Sequence, residues 1–143
     1  MPLTMFVIPC DNPEQADINK AKDSLTDVAN EISVLDHRDI NTMDKGMSGW
    51  YGYLFSNEWL DDGLRFALPF FLEKSEEDYL VLFKKVLEKK GALITPKIFQ
   101  TPRIFRRDIE VEGPGSLIPI NGEQLSSIKI LDGWILEPHR KIQ

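Results

Sequence analysis

The sequence predicts a single α/β domain that begins with a βαβ unit, continues into a mixed sheet and ends in a β-rich part. Two observations carry this prediction. Two short apolar runs, "LTMFVIP" and "ISVL", flank an amphipathic segment within the first 36 residues. The last third of the chain combines short apolar runs with turn dipeptides. A length of 143 residues suits one domain with its own core, so we assign residues 1–143 to it.

The βαβ prediction comes from the spacing of apolar residues after the first run. Asn12 is a good helix N-cap and Pro13 suits the first helical position. Spacings of three and four then indicate one helix face, which consists of Ile18, Ala21, Leu25, Val28, Ala29 and Ile32. We predict a helix from Pro13 to near Asn30, and a second buried strand, "ISVL", that stops at Asp36. A right-handed crossover makes the two strands parallel and adjacent, so their carboxyl ends share one edge of the sheet.

Polar groups accumulate where a third predicted strand ends. The stretch "YLFSNEWLDD" (53–62) changes from apolar residues to Ser56, Asn57 and Glu58. Ligands of open α/β sheets bind outside the carboxyl ends of strands. A turn followed by an acidic helix start explains the same residues, and this stretch alone does not separate the two interpretations.

The rest of the chain is predicted to contain a second helix, a segment that fits either a helix or a strand, and two turns. "DDGLRFALPFFLEK" has helical spacing, with a kink expected at Pro69. "SEEDYLVLFKK" fits a helix, because Ser75 and Asp78 resemble a capping box, and equally fits a buried strand, because "YLVLF" is continuously apolar. Asp132-Gly133 between two apolar runs predicts a β-hairpin, and Asn121-Gly122 is a second candidate turn.

Charge and composition exclude several classes of protein. The net charge of −6 argues against a nucleic-acid polymer as partner. Residues 97–107 carry +4 without an acid, which suits either a solvated strand face or a site for a small phosphate ligand. A single cysteine, Cys10, excludes an internal disulfide and a cysteine-rich metal site. Without an apolar stretch of about 18 residues or a secretory signal, we expect no membrane span and a cytoplasmic location.

Several motifs, in order, resemble family 2 glycosyltransferases with the GT-A fold. "FVIPCDN", the helix with "DSL" and "EISVLDHRD" are similar to the opening of that family, with matches at Pro9, Asn12 and Asp36. "YLFSNEWLDDGLRFALPFFLE" resembles its L-D-A-D-E-W-L segment and the helix that follows. "DYLVLFKK", "TPRIFRRD" and "GWILEPH" resemble blocks of the subgroup that modifies lipopolysaccharide cores. On this resemblance residues 79–86 form a strand.

The resemblance implies transfer of a sugar from a nucleotide-sugar donor to the hydroxyl of a glycan or small-molecule acceptor. It places the nucleotide at Pro9, Asn12 and Asp36, and the phosphates at Arg103, Arg106 and Arg107. A weakly bound Mn²⁺ or Mg²⁺ is expected at Asn57, Glu58 and His139, because hard cations prefer such oxygen ligands and the leaving diphosphate needs a countercharge. Catalysis also needs a general base, for which Glu110 and Glu112 are both candidates.

The sequence departs from the family at the metal motif. Phe55 and Asn57 stand where the family has its two aspartates, and the segment between Asp36 and Trp50 is short for a helix and a strand. Two alternatives to an enzyme therefore stay open. The chain is either a catalytically degenerate GT-A-like binding module, or a small acidic protein that acts by protein interaction or inhibition.

Overall fold

The computed structural model describes residues 2–35, 49–112 and 118–141, with 138–141 described by their backbone alone. Its elements are β1 Leu3–Ile8, α1 Gln15–Leu25, β2 Glu31–Val34, β3 Trp50–Phe55, β4 Trp59–Leu60, α2 Asp62–Lys74, β5 Tyr79–Lys90, β6 Leu93–Arg106, a 3₁₀ turn Gly122–Gln124, β7 Ser127–Lys129 and β8 Ile135–Lys141. In the described residues the strands form one curled mixed sheet in the order β2-β1-β3-β6-β5-β8-β4, with β7 also paired to β5. The predicted mixed α/β class is confirmed.

The βαβ opening is confirmed in its topology. β1 pairs in parallel with β2 on one side and with β3 on the other. The helix between β1 and β2 is shorter than predicted. It begins at Gln15, directly after the N-cap residue Glu14, and ends at Leu25. Asn12 is not its N-cap: Asn12 has a left-handed φ of 52°, whereas an N-cap residue is extended.

The second strand is not the buried strand that the sequence predicted. β2 is mostly exposed, and full burial begins only at the next residue, Leu35. The physical reason is its place at the end of the sheet, where β1 is its only strand neighbour among the described residues. A short apolar run therefore indicated a strand correctly but not its position in the sheet.

The ambiguous segment after α2 is a strand, as the resemblance implied. β5 pairs antiparallel with β6 from Tyr79–Phe105 to Lys90–Leu93. The capping-box interpretation is wrong, because Ser75 lies at the C-terminal end of α2 and its N–H donates to the carbonyl of Phe71. The apolar run prevails over the cap signal because burial of Leu80 and Leu82 outweighs one capping hydrogen bond.

The predicted hairpin at Asp132-Gly133 is also wrong. β7 and β8 do not pair with each other; both run parallel to β5, β7 beside 79–81 and β8 beside 84–89. The segment between them lies against the start of α2. A Cβ on Gly133 would stand 2.3 Å from the backbone nitrogen of Leu64, so the glycine serves a close approach and not a tight turn.

Apolar side chains form a core on each face of the sheet. One face contacts both helices through Leu3, Val7, Leu54, Leu82 and Ile104, and Trp50 there donates its indole N–H to the carbonyl of Leu72 at 3.1 Å. The other face is rich in aromatic rings: Phe6, Tyr51, Tyr53 and Phe105. Neither helix in the described part of the chain is long and apolar enough to cross a bilayer.

Candidate functional site

The carboxyl ends of β1 and β3 lie side by side, as their parallel pairing requires. Two hydrogen bonds join the turns that follow them. The N–H of Ser56 donates to the carbonyl of Ile8 at 2.9 Å, and the N–H of Cys10 donates to the hydroxyl of Ser56 at 2.9 Å. The polar stretch singled out in the sequence therefore lies at the edge of the sheet where α/β proteins bind ligands.

Glu58 is the centre of this region and is fully buried. One carboxylate oxygen accepts from the N–H of Phe55 at 2.8 Å and from Arg103 at 2.7 Å. The other accepts from the second terminal nitrogen of Arg103 at 2.9 Å and forms an ion pair with Lys84. A carboxylate has about four lone-pair sites, and here four donors occupy them. The arginine contact is bidentate, which is the strongest form of this interaction.

A second carboxylate completes a group of four charges. Lys84 lies 2.9 Å from Glu137, and Glu137 also accepts from the amide of Asn57 at 3.2 Å. We call Glu58, Arg103, Lys84 and Glu137 the buried charge cluster. Its two cations and two anions sum to zero. The cluster connects to the end of β1 through Asn57, whose carbonyl oxygen accepts from the thiol of Cys10 at 3.3 Å.

Electrostatics keep Glu58 ionised despite its burial. Burial alone would raise the pKa of Glu58, but the charge and hydrogen bonds of Arg103, followed by those of Lys84, outweigh it and hold the pKa at about 2. Burial raises the pKa of the Tyr53 hydroxyl, so this group stays neutral. The Tyr53 hydroxyl is buried without a hydrogen-bond partner in the described residues.

The residues proposed for a metal are only partly brought together. Asn57 and Glu58 are adjacent, but both Glu58 oxygens are already bound, so an ion at Glu58 would have to displace Arg103 or Lys84. His139 lies in β8 and its side chain is outside the described part. Within the described residues, no three His, Cys, Asp or Glu side chains are grouped as a metal site. The arrangement of these side chains does not fit a divalent ion at Glu58, and the weak Mn²⁺ or Mg²⁺ site stays a prediction.

The residues proposed for the nucleotide surround the end of β1. Pro9 directly follows β1 and is half-buried, and Asn12 is exposed two residues after Cys10. Asp36 lies outside the described residues. The nucleotide site thus stays a prediction, with Pro9 and Asn12 beside the turn that contacts Ser56 and Asn57.

The three arginines proposed for phosphates have different surroundings. Arg103 is buried against Glu58. Arg106 donates to the carbonyls of Ser75 and Glu77 and lies over the ring of Trp50, 3.8 Å from its centroid. Arg107 is exposed beside Gly49. Two of the three therefore connect elements of the fold, and Arg107 is the exposed one.

The candidate bases lie beyond the end of β6. Glu110 is exposed and lines a cavity of about 420 Å³ together with Asp108, Asn121 and Gln124. Glu112 is exposed next to that region, and its N–H donates to the carbonyl of Ile118 at 2.8 Å. The cavity gives Glu110 a concave setting in which an acceptor could be held.

Sequence reasoning missed Lys84, Glu137 and Cys10. Both charged residues had a signal, because each interrupts an apolar run: Lys84 follows "YLVLF" and Glu137 follows "WIL". Charged residues are rarely buried unless they are paired, so a lone charge in a buried strand predicts an opposite charge nearby. Such a rule predicts that a partner exists and does not say which residue it is.

No protein-family model matches this chain, and no curated protein matches it.

Proposed function

We propose that this chain is a GT-A-like module that binds a nucleotide or nucleotide sugar at the carboxyl ends of β1 to β3 without a divalent metal. The observation that supports it most is the saturated carboxylate of Glu58. Glu58 is the acid that the chain shares with the metal motif it resembles. In this structure Arg103 and Lys84 contact that acid.

The charge balance of the site favours binding over turnover. Departure of a nucleoside diphosphate develops negative charge that a metal ion or cationic side chains must stabilise. Arg103 and Lys84 are cations, but Glu58 and Glu137 neutralise them. The region therefore offers polar groups for a nucleoside and little net positive charge for a leaving group.

A thermal-shift screen with free nucleotides and nucleotide sugars, each with and without Mn²⁺, tests this proposal. A ligand that binds only the folded state stabilises it by mass action, so even weak binding is visible at high concentration. We expect a shift with at least one nucleotide, of equal size with and without Mn²⁺. Asp36→Ala should remove the shift, and Asp17→Ala, an exposed aspartate of α1, should keep it.

Two results contradict the binding module. Micromolar Mn²⁺ binding in calorimetry that is lost in Glu58→Gln would restore a metal-dependent transferase. A screen without any nucleotide shift would remove the nucleotide site and leave the protein-interaction alternative.

A transferase that works without metal is the second candidate, and the cavity beside Glu110 favours it. It predicts sugar transfer that persists in a chelator and is lost in Glu110→Gln. Glu112→Gln is the matched control, because Glu112 is an exposed glutamate two residues away. The binding module predicts no transfer in either variant or in the parent chain.

A further inference from the structure

The outer half of the β5–β6 hairpin, residues 85–100, extends away from both cores. We call it the arm. All twelve residues from 89 to 100 are exposed, although residues 93–100 keep regular strand pairing with β5. The exposed fraction is 64% for Leu93, 46% for Ile94 and 55% for Ile98. Exposed apolar side chains that are grouped in this way mark an interaction surface.

One face of the arm combines Ile94 and Ile98 with lysines. Residues that pair across two strands point to the same face. The pairs Lys89–Ile94, Leu87–Pro96 and Lys85–Ile98 therefore form one row, and Lys90–Leu93 lies at the tip on the opposite face. The opposite face carries Val86 and Glu88, which are buried, and Glu88 pairs with Lys97 at 3.1 Å.

The arm differs in charge from the rest of the protein. Four lysines and one glutamate give the arm +3, so the rest of the chain sums to −9 against a total of −6. Lys89 and Lys90 have no ion-pair partner among the described residues. Each face of the tip therefore carries one of these lysines beside an exposed apolar residue: Lys89 beside Ile94, and Lys90 beside Leu93. On an acidic protein, such a tip is complementary to a surface that is anionic outside and apolar beneath its charges.

A second copy of the chain does not fit this surface. Two arms packed face to face would bring Lys85 and Lys89 of both copies together, and like charges in contact are destabilising. Pairing of two β6 edges is also disfavoured, because Pro96 and Pro102 lack a donor and Lys97 would meet another lysine.

We propose that the arm docks the protein on the surface of a bilayer that contains anionic phospholipids. The arm enters with its tip: Lys89 and Lys90 contact the lipid phosphates, and Leu93 and Ile94, on the two faces of the tip, enter the boundary between headgroups and acyl chains. The arm extends roughly 17 Å from residue 85 to residue 90 at about 3.3 Å per residue. This is about twice the Debye length of about 8 Å at physiological ionic strength, so repulsion from the acidic body is largely screened. The docking does not depend on nucleotide binding.

Vesicle sedimentation with the full chain tests this proposal. The probes are vesicles of pure phosphatidylcholine and of phosphatidylcholine with about a third phosphatidylglycerol. We expect at least tenfold stronger binding to the anionic vesicles, and a decrease as salt increases. Lys89→Gln with Lys90→Gln should weaken binding about thirty-fold, since one lysine near an anionic surface contributes about 1 kcal/mol. Leu93→Ser with Ile94→Ser should weaken it at least tenfold.

The control is Phe66→Ser with Phe70→Ser. Both phenylalanines are exposed on α2, whose two acids and two bases cancel, so this variant should bind within twofold of the parent chain. Thermal melts verify that each variant is folded. Equal binding to both vesicle types, no binding at all, or a loss confined to the control variant would each overturn the proposal. Arm-dependent dimers without vesicle binding would overturn it in favour of a second copy.

Discussion

The two halves of the β5–β6 hairpin share one continuous ladder and have opposite surroundings. In the inner half, Leu80, Leu82 and Phe105 are buried and the cations Lys84 and Arg103 contact acids. In the outer half, Ile94 and Ile98 are exposed and the two tip lysines lack an acidic partner among the described residues. The strand pairing therefore continues beyond the core. The inner half, whose charges are paired within the protein, is structural, whereas the outer half has charged groups that are available to a partner.

The largest expected effect comes from breaking the inner half. Arg103→Met leaves Glu58 buried with Lys84 as its remaining cation and should destabilise the fold by about 3–5 kcal/mol. The matched change in the outer half is Lys97→Met, which removes an ion pair with an exposed lysine and should cost less than about 1 kcal/mol. Urea unfolding of both variants measures the difference. Similar costs for the two would show that the buried pair contributes no more than a surface pair.

The pH dependence of stability should report the same cluster. The pKa of Glu58 is lowered from 4.5 to about 2 in the folded protein, so its stabilisation is complete above about pH 4.5 and is lost as the pH falls towards 2. A shift of this size corresponds to about 3 kcal/mol. Glu58→Gln should flatten the stability profile between pH 4.5 and 2, and Lys97→Met should leave its slope unchanged. If the slope of stability against pH persists in Glu58→Gln, other carboxylates cause it.

Two glycines are required for different reasons: one position has no space for a Cβ, and the other has a left-handed backbone. A Cβ on Gly52, in β3, would stand 2.5 Å from the carbonyl oxygen of Arg103 and 2.9 Å from the sulfur of Met5. Gly52→Ala should therefore cost about 1–3 kcal/mol. Gly91 at the arm tip has φ +62° and open space around it, so Gly91→Ala should cost about 1 kcal/mol and Gly91→Asn less. Denaturation midpoints rank the three variants, and a Gly52→Ala protein as stable as the parent would contradict the close approach.

The smallest effect on stability concerns the exposed edge of the arm. Pro96→Thr with Lys97→Thr supplies a donor and removes a charge, and, like Lys97→Met, it should change stability by less than about 1 kcal/mol. It should nevertheless increase self-association, because unpaired edge strands without proline or lysine pair with one another. Light scattering against concentration measures this. Parent-like scattering would show that these two residues do not protect the edge.

The sequence predicted the parts of the fold that depend on local pattern. Helical spacing and an apolar run were enough for α1 and for the parallel pair of β1 and β2, and the polar end of β3 was recognised before its neighbours were known. The errors arose where a local signal competes with a distant partner. Asp132-Gly133 has the composition of a hairpin turn, but the flanking strands β7 and β8 both pair in parallel with β5. The buried charge cluster could not be predicted because Lys84 and Glu137 are 53 residues apart.

The position of β8 between β4 and β5 has a consequence for synthesis on the ribosome. Glu58, Lys84 and Arg103 all leave the exit tunnel before Glu137, so the nascent chain holds two buried cations and one acid until β8 appears. β4 likewise has no strand partner among the described residues until residues 135 and 136 emerge. The domain therefore completes its sheet only after β8 has emerged. A stalled chain that ends before residue 135 should be far more sensitive to protease than one whose β8 has cleared the tunnel.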